Sequence, residues 1–133
     1  MRIITLLLLF TFSSTIATSG QEKIWTDDNG KRTTKEKATY YSVFSTDKKG
    51  NQFVVSYYFS GKKALEYYSV QGKKVGKSVL FYTTGEVKTT GEFEDGFKEG
   101  MWKTYYKNGK IRAKGKYRKG EKVGVWKTFY KNN

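Results

Sequence analysis

The sequence contains no cysteine, no histidine and no proline. Without cysteine there are no disulfides and no thiolate metal sites. Without histidine the commonest metal ligand and the commonest general base are missing, and Ser-His-Asp and Cys-His arrangements are excluded. Carboxylates are scarce: 12 Asp and Glu stand against 26 Lys and Arg, a formal net charge of +14. A charge of that size bears on solubility and partners, not on fold.

Aromatic residues and glycine are plentiful, with 11 Tyr, 9 Phe, 3 Trp and 14 Gly. Aromatics favour strands and glycine punctuates them. At 133 residues, one domain is the default expectation. The N-terminus reads as a signal peptide over residues 1–19. Arg2 supplies a minimal positive region, Ile3 to Phe12 an apolar run, and Ala17 and Ser19 a small-x-small cleavage signal before Gly20. The apolar run is short for a bilayer span. Removal of this segment predicts an exported protein: periplasmic, outer membrane-associated or secreted.

Residues 20–56 form an N-terminal segment that begins without clear periodicity. Ile24 and Trp25 are isolated apolar anchors, Asp27 to Gly30 is a turn signal, and 33–38 suggests one short helical turn. Tyr40 to Phe44, a turn at Asp47 to Gly50, and Phe53 to Phe59 predict a first hairpin.

From residue 57 the chain repeats with a 24-residue period, in blocks 57–80, 81–104 and 105–128 and a partial block 129–133. Tyr58, Tyr82 and Tyr106 coincide, as do Gly61, Gly85 and Gly109; Gly72, Gly96 and Gly120; Gly76, Gly100 and Gly124; and Lys74, Lys98 and Lys122. The second and third blocks also align Gly91 with Gly115 and Trp102 with Trp126. The first block is degenerate, with Tyr67 and Ser78 at those two positions, as expected where an array meets a different neighbour.

Asn108-Gly109 is the best two-residue turn signal. Such a turn sets Lys107 opposite Lys110, Tyr106 opposite Ile111, Thr104 opposite Ala113 and Trp102 opposite Gly115. Trp102, Thr104, Tyr106, Ile111, Ala113, Gly115 and Tyr117 then share one face. Gly115 would leave room for the Trp102 indole. The preceding hairpin, turning at Thr84-Gly85, adds Leu80, Tyr82, Val87 and Gly91, and Trp126 extends a continuous aromatic seam. The expected fold is therefore all-β, an antiparallel meander of repeated hairpins with Trp102, Trp126, Tyr82, Tyr106, Gly91 and Gly115 as its packing positions.

The runs Gly100-Met101-Trp102-Lys103-Thr104-Tyr105-Tyr106-Lys107-Asn108-Gly109 and Gly124-Val125-Trp126-Lys127-Thr128-Phe129-Tyr130-Lys131-Asn132 resemble the bacterial variant of the MORN repeat. The resemblance covers residues 57–133 and is strongest from 81 onward. It implies repeated antiparallel hairpins and no catalytic residue. Proteins of this type include YwqK-like antitoxins and exported or envelope proteins; the export signal sets this chain apart from a cytoplasmic antitoxin.

Among the carboxylates, Glu92 and Glu94 share strand parity, and such a pair could in principle serve glycoside hydrolysis. The plainer reading is a solvated, charge-balanced sheet face. The glycines make no phosphate loop, since no strand–GxxxxGK–helix context exists. Charge is uneven: 81–104 has five acidic and three basic residues, whereas 105–133 has ten basic and one acidic. Lys110, Arg112, Lys114, Lys116 and Arg118 share strand parity, with Tyr105 on the same face. This predicts a basic stripe for an anionic partner: an unknown protein, an anionic envelope lipid or an acidic glycan. Basic residues interleaved with aromatics also suit single-stranded nucleic acid, but export removes that partner. No cofactor is expected, and homo-oligomerisation stays open. The leading expectation is a non-enzymatic exported binding or structural module; the alternative is an antitoxin or immunity-type protein that neutralises a protein toxin.

Overall fold

Aromatic and β-branched residues alternating with polar ones turn each segment between glycines into a strand. The computed structural model describes residues 23–28 and 31–130. Among them nine strands form: β1 (Ile24–Thr26), β2 (Tyr40–Thr46), β3 (Gln52–Tyr58), β4 (Lys63–Val70), β5 (Lys73–Phe81), β6 (Val87–Glu94), β7 (Phe97–Tyr105), β8 (Ile111–Arg118) and β9 (Glu121–Thr128). They lie in a single sheet in chain order, each antiparallel to the next. The extensive contacts run only between consecutive strands, the quasi-one-dimensional arrangement of a repeat array. Neither face is covered by a second layer among the described residues. The expected all-β antiparallel meander is thus the observed architecture. The expected export signal at 1–19, the Asn29-Gly30 part of the first turn and the final residues 131–133 lie outside the described residues.

The expected first hairpin is β2–β3, and the helical turn is a single 3-10 turn at Lys35–Lys37. β1 was not anticipated. It pairs Trp25 with Tyr41, and the Trp25 ring stacks on Phe59 at 5.8 Å and 13°. Two anchors in a polar segment therefore suffice to place one more strand.

Two kinds of turn alternate along the repeats. Gln71-Gly72, Asp95-Gly96 and Lys119-Gly120 form two-residue loops in which both residues have positive φ, for example 50° at Asp95 and 85° at Gly96. This is the type I′ geometry, whose twist matches that of the strands. Asn108-Gly109 is different, which corrects the expected register. Tyr106 N–H donates to the Lys110 carbonyl and Gly109 N–H to the Tyr106 carbonyl, both at 2.9 Å, closing a three-residue loop with Gly109 at φ 83°. The Tyr82–Glu86 and Tyr58–Lys62 turns bond identically.

The longer loop leaves an extra residue in β8. Thr104 still opposes Ala113 and Trp102 still opposes Gly115, but Tyr105, not Tyr106, opposes Ile111. Alternation is reset at this bulge. Ile111 moves to the Tyr105 face. Arg112 moves to the tryptophan face, where it lines a depression with Trp102 and Trp126. Val87 is displaced in the same way, opposite Phe81.

The indole placement also needs correction. Trp102 lies over Gly91, not Gly115: a Cβ at Gly91 would collide with Cγ, Cδ2 and Cε2 of Trp102. Gly115 lies beneath Trp126 in the same way. The register shift between Thr90 and Glu92, with Gly100 at φ 68°, bends β7 and re-aims the indole onto β6. There its Nε1–H donates to the Glu92 carbonyl at 3.2 Å. In the first block the volumes are inverted. Tyr67 opposes Ser78, so the large residue sits where later blocks carry glycine.

A second set of bonds recurs every 24 residues. The hydroxyls of Tyr58, Tyr82 and Tyr106 donate to the carbonyls of Phe81, Tyr105 and Phe129 at 2.9, 2.6 and 2.8 Å. Each ties the turn of one hairpin to the end of the strand two places on. Burial is confined to a thin central line, with Val54, Ala64, Val79 and Trp102 its buried apolar residues. Ser42 and Ser56 are buried as a hydrogen-bonded pair at 2.7 Å.

Candidate functional site

Residues opposed across a sheet point to one side, so a chain of partners defines a row. On one face a row runs Val43, Val55, Glu66, Val79, Thr90, Lys103, Lys114, Lys127. It is apolar at Val43, Val55 and Val79, interrupted by Glu66, and cationic over the last three strands. Lys103, Lys114 and Lys127 are direct cross-strand neighbours, with strands spaced about 4.8 Å apart. Among the described residues none of the three is in an ion pair; the pairs formed are Lys63–Glu66 and Lys73–Asp95. Like charges in direct opposition destabilise a sheet.

This row changes the shape of the expected basic stripe. Lys114 and Lys116 do lie on this face, around a depression with Met101, Val123 and Lys127. Tyr105 shares the face through its contact with Thr90, and Phe129 lies beneath the Lys114 ammonium at 5.7 Å. Arg112 is on the other face. Lys110 is exposed at the turn, its N–H bonded to Asn108 Oδ1 at 3.0 Å. Arg118 opposes Glu121 and borders a depression with Glu94, Asp95, Glu99 and Lys119, so its surroundings are of mixed charge. The charges therefore gather across strands β7, β8 and β9, not along β8. Lys103 and Lys127 complete the group. Their matching places in consecutive blocks were visible, but their adjacency depends on bulges that single-strand parity does not reveal.

The tryptophan face carries the expected aromatic seam. Phe93, Trp102, Tyr117 and Trp126 meet edge to face, with centroids 5.2, 5.9 and 5.1 Å apart. Lysines sit on this seam at the recurring position. Lys74 Nζ lies 4.6 Å from the Tyr67 centroid and 5.3 Å from Phe93. Lys98 Nζ lies 4.6 Å from Trp102 and 4.9 Å from Tyr117, and Lys122 Nζ 4.5 Å from Trp126. The ring quadrupoles attract these cations and fix their position. Burial of Lys74, aided by the Lys98 charge, holds its pKa below the usual lysine value. Burial pushes the Tyr67 hydroxyl up. The coincidence of Lys74, Lys98 and Lys122 was legible in the repeat, but not their function as caps on aromatic rings.

The pair Glu92 and Glu94 is divided between two cross-strand partners. Glu92 opposes Glu99, whereas Glu94 opposes Phe97 at the turn. No cluster of three or more carboxylates able to hold a metal occurs among the described residues. No family model, curated protein or solved structure matches this chain.

Proposed function

We propose that this chain is a non-enzymatic exported β-repeat protein, a binding or structural module that meets an anionic partner through its cationic row. The carrying observation is Lys103, Lys114 and Lys127, in register on three adjacent strands without a paired carboxylate. Their mutual repulsion is relieved when an anion lies across them, so the row gains more from a polyanion than scattered lysines would. The open, single-layer sheet leaves this face accessible. The N-terminal apolar run and the likeness to bacterial MORN-type repeats support placing the module in the envelope or outside the cell.

The test is a Lys103→Gln, Lys114→Gln, Lys127→Gln variant of the full chain, first checked for an unchanged β spectrum. Binding to anionic vesicles or acidic polysaccharide should weaken, and wild-type binding should fall as salt rises. Equal affinity of variant and wild type for both probes across salt overturns the reading. Export has its own readout: intact mass from the native host should give a mature N-terminus near Gly20 or Gln21.

A further inference from the structure

The tryptophan face combines three features in one trough. Its floor is the aromatic seam. One side carries Lys98 and Lys122, held in place by the rings beneath them. The other side carries Thr104 and Thr128, with Arg112 brought in by the β8 bulge, and together these line a depression of about 450 Å³. The lysines recur once per block on alternate strands, β5, β7 and β9. With strands about 4.8 Å apart, the backbone positions that carry successive lysines are roughly 9.5 Å apart across the sheet, and each ammonium is held over a ring at the matching place in its block. Among the described residues Lys74, Lys98 and Lys122 have no carboxylate partner.

We infer that this trough binds a linear anionic polysaccharide bearing one carboxylate or sulfate per disaccharide, running across the strands. The two-strand spacing of the lysine positions is comparable to one disaccharide of an extended glycan, so each block would meet one charge. The threonine hydroxyls and Arg112 offer hydrogen bonds to ring substituents, while the aromatic rings beneath hold the lysines in place. A charge on every sugar would leave half of the anions without a partner, and a neutral glycan would leave the ammoniums unmatched. Burial lowers the pKa of Lys74 and the Lys98 charge adds to the shift; an anion between Lys74 and Lys98 would relieve that second contribution. The inference rests on the reading of the protein as a binding module, but it uses the face opposite the cationic row.

The experiment is calorimetric titration of the full chain with three probes: hyaluronan, with one carboxylate per disaccharide; polygalacturonate, with one per sugar; and neutral dextran. Hyaluronan should bind more tightly per carboxylate than polygalacturonate, and dextran should not bind. A Lys98→Gln, Lys122→Gln variant should bind hyaluronan about tenfold more weakly, as loss of two exposed charge contacts implies. Lys98→Arg, Lys122→Arg should retain binding, which separates lost charge from lost folding. Lys48→Gln, Lys49→Gln, exposed at the turn of the first hairpin and outside both the trough and the cationic row, should leave hyaluronan affinity unchanged. If hyaluronan does not bind, if polygalacturonate binds as tightly per carboxylate, or if the Lys98→Gln, Lys122→Gln variant binds hyaluronan as wild type does, the trough assignment is overturned. In the last case a hyaluronan affinity that falls in the Lys103→Gln, Lys114→Gln, Lys127→Gln variant leaves the cationic row as the anionic site.

Discussion

Gly115 lies directly beneath the indole of Trp126, so that a single added methyl group there would overlap the ring. Gly91 and Trp102 stand in the same relation one block earlier. Neither glycine has a positive φ, so the requirement is for space and not for backbone freedom. Gly91→Ala should therefore destabilise the sheet by about 1–3 kcal/mol, the usual cost of overpacking, in urea unfolding. Gly115→Ala should cost less, because Trp126 is more exposed than Trp102. Combining Gly115→Ala with Trp126→Ala should give strongly non-additive energies, since the second change removes the clash made by the first. Additive energies would mean that the ring and the glycine do not touch.

Trp102 is the large aromatic of the thin core, 6% exposed and bonded through Nε1–H to the Glu92 carbonyl. Trp102→Ala should cost about 3–5 kcal/mol in urea unfolding, the range for deleting a buried large aromatic. A change below 1 kcal/mol would show that the seam contributes little to stability.

The tyrosine hydroxyls give a finer test of the repeat. Tyr82→Phe removes only the bond to the Tyr105 carbonyl. It should lower stability by about 0.5–1.5 kcal/mol and leave the β spectrum intact. Tyr106→Phe should cost less, because the Tyr106–Phe129 bond is exposed. Equal stability of Tyr82→Phe and wild type would remove these bonds as a stabilising device.

Much of this fold was readable from the chain because glycine, tyrosine and tryptophan fall at fixed intervals. Tyr58, Tyr82 and Tyr106 share one register and make one kind of hydrogen bond. What single-strand alternation missed were the bulges. Arg112 shares parity with Lys110 and Lys114, yet an extra residue after a three-residue loop moves it to the opposite face. A separate shift, between Thr90 and Glu92 on the neighbouring pair of strands, goes with the Trp102 indole lying over Gly91 instead of Gly115. A row across three strands, such as Lys103, Lys114 and Lys127, depends on three registers at once, so its lysines were legible individually and not as a group.

The type I′ turns allow a gain of stability. Gln71, Asp95 and Lys119 all occupy positive φ, at 49°, 50° and 48°. Lysine carries a steric penalty in that region that asparagine largely avoids, and Asn-Gly is the favoured type I′ pair. Lys119→Asn should raise the urea midpoint, by about 0.5–1 kcal/mol in stability. A lower midpoint would indicate that the Lys119 stem contributes packing worth more than the backbone relief.

Lys74 should show the clearest pH signature. Its pKa is lowered chiefly by burial and further by the charge of Lys98, while in the unfolded chain it returns towards 10.5. Below its folded pKa the residue is charged in both states, and the fold carries the full cost of that buried charge. As pH rises through the folded pKa, the native state releases its proton first. The unfolded state then binds more protons, so stability rises with pH up to the unfolded value. Tyr58 and Tyr67 act in the opposite sense, because burial raises their pKa values above 10.0. Their unfolded forms ionise first, so their contribution falls with pH from about 10 upward. Side-chain NMR should therefore show Lys74 titrating below 10.5, and a Lys74→Met variant should lose the rise of stability with pH that Lys74 contributes below that value. Lys98→Gln should move the Lys74 titration back towards 10.5 only in part, since burial remains. Lys74 titrating at or above 10.5 would contradict its placement between Tyr67 and Phe93.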